Sequence, residues 1–232
     1  MSVQEAEAVE TFDLAATPLR ELNQRLHDAV AGRFRVVNPS GAHAVACGIK
    51  APLEVEIVGH VGYYCAGMNQ HANVLVRGNV GTGVAENIMS GTVVVEGNAS
   101  QSAAATGRGG LVVIHGNAAA RCGISMKGVD IVVRGQVGHM SAFMAQRGCL
   151  VVCGDAGDAL GDSLYEAHLY VRGSVAGLGA DCVEKPVREH HLAELRTLLG
   201  RAGFDDVDPA DFRRYGSARQ LYTFEVDNAG AY

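Results

Sequence analysis

Aliphatic residues recur along this chain at a fixed distance from a fixed set of glycines. Gly59, Gly78, Gly97, Gly116, Gly135, Gly154 and Gly173 stand 19 residues apart (78 − 59 = 19, through 173 − 154 = 19) with no slip. Four residues before each comes Val55, Val74, Val93, Val112, Ile131, Leu150 or Leu169, and two before comes Ile57, Val76, Val95, Ile114, Val133, Val152 or Val171. Alternation of this kind predicts a short strand with one wholly apolar face. A second apolar column lies two residues after the glycine, from Val61 to Val175, and a column of small residues seven after it, from Ala66 to Ala180.

A repeat measured before any element is assigned decides the fold class. Helical repeats need apolar spacings of three and four, leucine-rich repeats need their leucine and asparagine signature, and hexapeptide helices need a multiple of six. None fits. The pattern predicts an all-β core, a right-handed single-stranded parallel β-helix of about seven 19-residue coils. Six intervals at the inter-strand spacing give a column about 29 Å long. At each repeated glycine a side chain is expected to collide or to strain φ. The residues that follow, Asn79, Asn98, Asn117, Gln136, Asp155 and Ser174, should stack as a polar ladder with amides bonded along the axis.

One further column is out of place on an isolated column. Three residues before the glycine stand Leu75, Val94, Val113, Val132, Val151 and Tyr170, on the face that should point away from the core. An outward apolar stripe of that length needs a cover. Two are offered. Pro18 precedes a helical run in which Leu19, Leu22, Leu26 and Val30 share a face, with Gly32 at its exit. Arg188 to Arg201 forms a second amphipathic run carrying Leu192, Leu195 and Leu199, ended by Gly200 or Gly203. The expected organisation is an N-terminal helix and cap over 1–54, with Arg33 to Leu53 as an irregular first coil, the β-helix over 55–183, and a helix with a docking tail over 184–232. The tail, with Phe212, Tyr215, Leu221, Tyr222 and Phe224, should wrap the column or dock on a partner.

Composition narrows the partners. A net charge of −6 without a basic stripe argues against nucleic acid. No window approaches the roughly 18 apolar residues of a membrane span, and the first residues lack the basic-then-apolar order of a secretion signal. A cytoplasmic protein is expected, with Cys47, Cys65, Cys122, Cys149, Cys153 and Cys182 as free thiols.

Candidate chemistry is thin. Gly78-Asn79-Val80-Gly81-Thr82-Gly83 has the wrong order for a dinucleotide fingerprint and no lysine for a P-loop. Cys149 and Cys153 flank one strand, while Cys65 and Cys122 share a column position three coils apart. Without a paired C-x-x-C motif these are read as small buried thiols rather than metal ligands. Glu86, Asp162 and Glu166 occupy coil corners, but Glu86 lies four coils from the others, about 19 Å by the strand spacing. A glycosidase pair needs about 5 to 9.5 Å, so a carbohydrate-active enzyme is disfavoured. Loops around Met68, Met89, Met126 and Met144 suit gap filling or an adaptable partner surface. No catalytic, cofactor-binding or metal residue is assigned.

The recurring G-x-x-G-x-G turns between valine strands resemble the GXGXG-repeat β-helix that forms the C-terminal domain of the glutamate synthase large subunit. The same domain type occurs as a subunit of formylmethanofuran dehydrogenase, which supplies an alternative reading as a scaffold beside a tungsten or molybdenum partner. The likeness covers about Val55 to Asp181. With Leu19-Arg20-Glu21-Leu22-Asn23, Gly62-Tyr63-Tyr64-Cys65-Ala66-Gly67-Met68-Asn69, Gly83-Val84-Ala85-Glu86-Asn87-Ile88-Met89-Ser90-Gly91 and Gly154-Asp155-Ala156-Gly157, the chain resembles the stand-alone glutamate-synthase-like subunit of bacterial N-methylglutamate synthase. That resemblance implies a hetero-oligomer with a glutaminase-type amidotransferase subunit and a synthase subunit bearing FMN and an iron–sulfur cluster. It implies that the chain is part of an enzyme in methylamine and amino-acid metabolism, while the catalytic and cofactor residues belong to the partners.

Overall fold

The computed structural model describes residues 8–219, whose strands form one 11-stranded sheet. Seven strands carry the repeat: β3 Glu54–Val58, β4 Asn73–Arg77, β5 Thr92–Val95, β6 Leu111–Ile114, β7 Asp130–Val133, β8 Cys149–Val152 and β9 His168–Val171. Each pairs in parallel with the next in the register of the period, as in Val55↔Val74, Val74↔Val93 and Val93↔Val112. A parallel β-solenoid of about seven turns is thus the core of the molecule. Residues four and two before the glycine are buried in one apolar cluster that runs through the column. The second column closes the coil through single parallel bridges from Val61↔Val80 to Ala156↔Val175.

From Gly78 to Gly173 the repeated glycines answer to contact rather than to φ; Gly59, the first, has a φ of 126°. At Gly78 an added Cβ would meet the Gly59 carbonyl oxygen at 2.5 Å, and at Gly97 the Gly78 oxygen at 2.6 Å; neither glycine has a positive φ. Their backbones stack on one another, Gly97 N donating to Gly78 O at 3.1 Å and Gly116 N to Gly97 O at 3.0 Å. From Ala66 to Gly161 the small residues seven after the glycine do carry positive φ, 52° at Ala66, 54° at Ala85 and 57° at Ala142, and are buried, whereas Ala180 in the last coil is exposed without a positive φ. They alternate with further left-handed residues such as Tyr64 and Met68, or Met140 and Met144. A left-handed backbone inside a packed corner tolerates only a small side chain.

The polar ladder forms with a different bond. Asn79 Oδ1 accepts from Asn98 N, and Asn98 Oδ1 from Asn117 N, both at 2.8 Å. Side-chain oxygens therefore satisfy the backbone of the next coil, and amide-to-amide contact is secondary, at 3.4 Å between Asn98 Nδ2 and Asn79 Oδ1.

At the N-terminal end the column is more regular than the sequence implies. β1 Val9–Asp13 and β2 Arg33–Val37 continue the parallel sheet, so the segment expected as an irregular cap starts with a strand paired in register. Its coil is 21 residues long (54 − 33 = 21, from Arg33↔Glu54), which is why the 19-residue search stops short of it. α1 Leu19–Asp28 lies in the connection between β1 and β2. Leu22 and Leu26 join Phe34, Val36 and Ile49 in the main core, so this helix closes the column and does not cover the stripe. Val30 lies beyond the helix and is 84 % exposed, against the expected shared face.

At the other end, β10 Cys182–Lys185 and β11 Arg213–Ser217 turn antiparallel. β11 inserts between β9 and β10, and Tyr215 enters the main core. This stretch of the tail wraps the column, while Leu221, Tyr222 and Phe224 lie outside the described residues.

Candidate functional site

The outward stripe is where the fold offers a site. α2 Glu189–Ala202 starts at Arg188, whose backbone N–H donates to His191 Nδ1 at 3.0 Å, and ends at Gly203 with φ 74°. Leu195, Leu198, Leu199 and Ala202 face the sheet and, with Phe204, Val207 and Phe212, bury Val113, Val132, Val151 and Tyr170 in a second apolar cluster. Arg134 anchors the segment after the helix through Asp206, with Nη1 donating to Oδ1 at 2.8 Å. Its guanidinium also lies 5.0 Å from the Phe204 ring centroid.

Among the described residues the cover stops at β6. Val94 only borders the second cluster and Leu75 is half-buried. Both line an open groove of about 560 Å³ on the outer face of the first coils, together with Glu56, Asn73, Arg77 and Thr92. Its polar rim is paired: Arg77 Nη1 lies 2.6 Å from Glu96 Oε1 and its Nε 2.5 Å from Glu56 Oε1. The Arg77 hydrogen bond holds the Glu56 carboxyl below its ordinary range. A second exposed apolar region lies on the loop corner, where Met68 and Met89 line a shallow depression with His71 and Asn87. Met68, Met89 and Met144 are exposed, whereas Met126 is fully buried and fills the core.

Beneath α2 lies a polar cluster that no spacing argument assembled. Asp130, Cys149 and His168 occupy the first position of three successive strands, with Cys149 directly paired to His168. From the helix above, Glu194 Oε2 accepts from Tyr170 Oη at 2.5 Å and lies 2.9 Å from His168 Nδ1. Asp130 Oδ1 accepts from Cys149 N at 3.2 Å. Burial pushes the Glu194 carboxyl up, but the bonds from His168 and Tyr170 outweigh it and hold the group at about 2. Burial raises the Cys149 thiol well above its ordinary value, and Glu194 and Asp130 push it the same way. Burial, with Arg214 adding to it, lowers the His191 ring to about 4.

The other candidates stay apart. Gly78 to Gly83 are turn residues of one coil, stacked on Gly59 and Gly62 below. Cys65 and Cys122 are fully buried in the main core, where burial pushes both thiols up to about 12. Cys149 and Cys153 lie on the outward face under α2. Glu86 and Asp162 belong to the coils of β4 and β8 and stay four coils apart, as Met68 N to Glu86 O and Met144 N to Asp162 O show. The column five before the glycine contains Asp130, Cys149 and His168 and was available in the sequence. Glu194, from outside the repeat, was not.

No helix of the described residues is long and apolar enough to cross a membrane. No family model and no solved structure matches the chain. Over 225 residues the chain is 64 % identical to Protein GlxC of Rhizobium meliloti (strain 1021), covering 95 % of this chain and 99 % of that protein. With that identity spanning the helices as well as the coils, the chain belongs to the family of Protein GlxC.

Proposed function

We propose that the chain is a non-catalytic structural subunit of a glutamate-synthase-like complex of the N-methylglutamate synthase type. In this reading it holds a glutaminase-type amidotransferase subunit and an FMN- and iron–sulfur-bearing synthase subunit in register, so that an amine released at one site reaches glutamate at the other. One observation carries the reading: the stripe covered by α2 from Val113 to Tyr170 continues, with no cover among the described residues, through Val94 and Leu75 into an open groove with a charged rim. Apolar surface of this kind, bordered by paired charges, suits a partner chain. The separation of Glu86 from Asp162 speaks against a self-contained hydrolase. The GXGXG likeness supplies the class of complex.

The test is co-expression with the two partner subunits, followed by a glutamine- and methylamine-dependent assay. A stable hetero-oligomer whose activity depends on this chain supports the proposal. A chain that stays monomeric beside both partners, or a complex fully active without it, overturns it.

A further inference from the structure

The polar cluster under α2 is hard to justify as packing alone. On one side it adjoins an apolar interface, Val132 and Val151 against Leu195, Leu198 and Leu199. A half-buried carboxylate at the edge of such an interface costs free energy unless its charge is compensated, and here it sits beside a buried thiol. Among the described residues, Cys149, His168 and Glu194 are the one group of three whose ligand atoms, a thiol sulfur, an imidazole nitrogen and a carboxylate oxygen, all lie within 4.8 Å of one another.

From this geometry we infer a zinc site formed by Cys149, His168 and Glu194. Bonds of about 2.0 to 2.3 Å at tetrahedral angles set ligand atoms about 3.5 Å apart, so small rotations of these side chains suffice. The donor set selects the metal. Sulfur and imidazole suit zinc, whereas magnesium and calcium require oxygen shells. Charge also closes: one Zn²⁺ neutralises the Cys149 thiolate and the Glu194 carboxylate beside a neutral His168. On binding, the Cys149 S–H bond breaks, the proton passes to solvent and a Zn–S bond forms, with no change of oxidation state. Tyr170 Oη, donating to Glu194 Oε2 at 2.5 Å, is a positioning residue that orients the carboxylate. Cys149 and Glu194 also line a cleft of about 350 Å³ with Asp130, Thr197 and Arg201, through which water could supply a fourth ligand. Two ligands come from β8 and β9 and one from α2, so the metal would staple the cover to the column.

The experiment uses the full chain without a polyhistidine tag, equilibrated with Zn²⁺ alone and dialysed. One zinc per chain is expected, and Co²⁺ in its place should give a near-ultraviolet thiolate-to-cobalt charge-transfer band. Cys149→Ser should abolish the band and weaken zinc binding by more than the roughly 10- to 100-fold typical of an outer-shell change, the range expected for Tyr170→Phe. Cys153→Ser, a neighbouring thiol outside the set, should keep both stoichiometry and band. Wild-type chain that retains no zinc, or shows no such band with Co²⁺, overturns the assignment even if Cys149→Ser fails to fold. So does a folded Cys149→Ser chain with unchanged stoichiometry and band.

Discussion

One apolar stripe has two fates in this molecule. From Val113 to Tyr170 it is sealed by α2, and Val113, Val132, Val151 and Tyr170 are at most 1 % exposed. At Leu75 and Val94 the same column, in the same register, borders an open groove. The repeat is blind to the difference, because every coil presents an equivalent outward position. What separates the halves is a 14-residue helix, shorter than the column it lies on. At 1.5 Å per residue it spans about 21 Å, so it does not reach the coils at one end. The covered half is part of this chain's stability; the other half is open among the described residues.

That contrast can be broken most severely at Val132. Val132→Asp would bury an unpaired carboxylate between sheet and helix and should cost on the order of 4 kcal/mol or more, read as lost folding in denaturant titration. Truncating the cover should be milder: Leu199→Ala is expected to lose about 2 to 4 kcal/mol with the fold retained. A melt in which either substitution costs less than about 0.5 kcal/mol would mean that α2 does not seal the stripe.

Leu75→Asp sharpens the comparison from the open side. Stability should change by less than about 1 kcal/mol, since the new charge stays solvated, whereas assembly with a partner subunit should weaken at least tenfold by sedimentation or co-purification. An unchanged assembly would remove the groove from the interface.

The smallest effect belongs to the Arg134–Asp206 ion pair, at the edge of the cover. The Arg134 hydrogen bond holds the Asp206 carboxyl below its ordinary range. A lowered folded value stabilises the protein above the unfolded carboxyl pKa of about 3.9, and that stabilisation is lost as pH falls through the folded value. The Tm gap between wild type and Asp206→Asn should therefore be small at pH 7, shrink with added salt, and vanish once the pH falls through the folded value. A gap that persists in acid would point to a packing role for this side chain.

The sites were legible to different degrees for physical reasons. Cys149, His168 and Asp130 are one period apart, and the stacking of coils brings them together wherever the register holds. Glu194 has no periodic relation to them; only the docking of α2 places it there. Val30 is the opposite case, continuing the helical spacing while lying outside the helix. The helix ends before it, with the backbone already extended at Ala29 (ψ 139°), since local periodicity does not register where a chain must turn to enter β2. The regular strand at the start of Arg33 to Leu53 escapes the 19-residue pattern because a coil of 21 residues pairs as well as one of 19 when the extra residues are absorbed in its loops.

By itself the sequence determined the solenoid: identical spacing forces identical register, and identical register stacks aliphatic on aliphatic and glycine on glycine. Only the tertiary structure decided which stretch of the outward stripe is sealed and which carboxylate meets Cys149 and His168. Those outcomes depend on how far one helix reaches along the column and where it is anchored, and neither length nor docking is encoded in a 19-residue period.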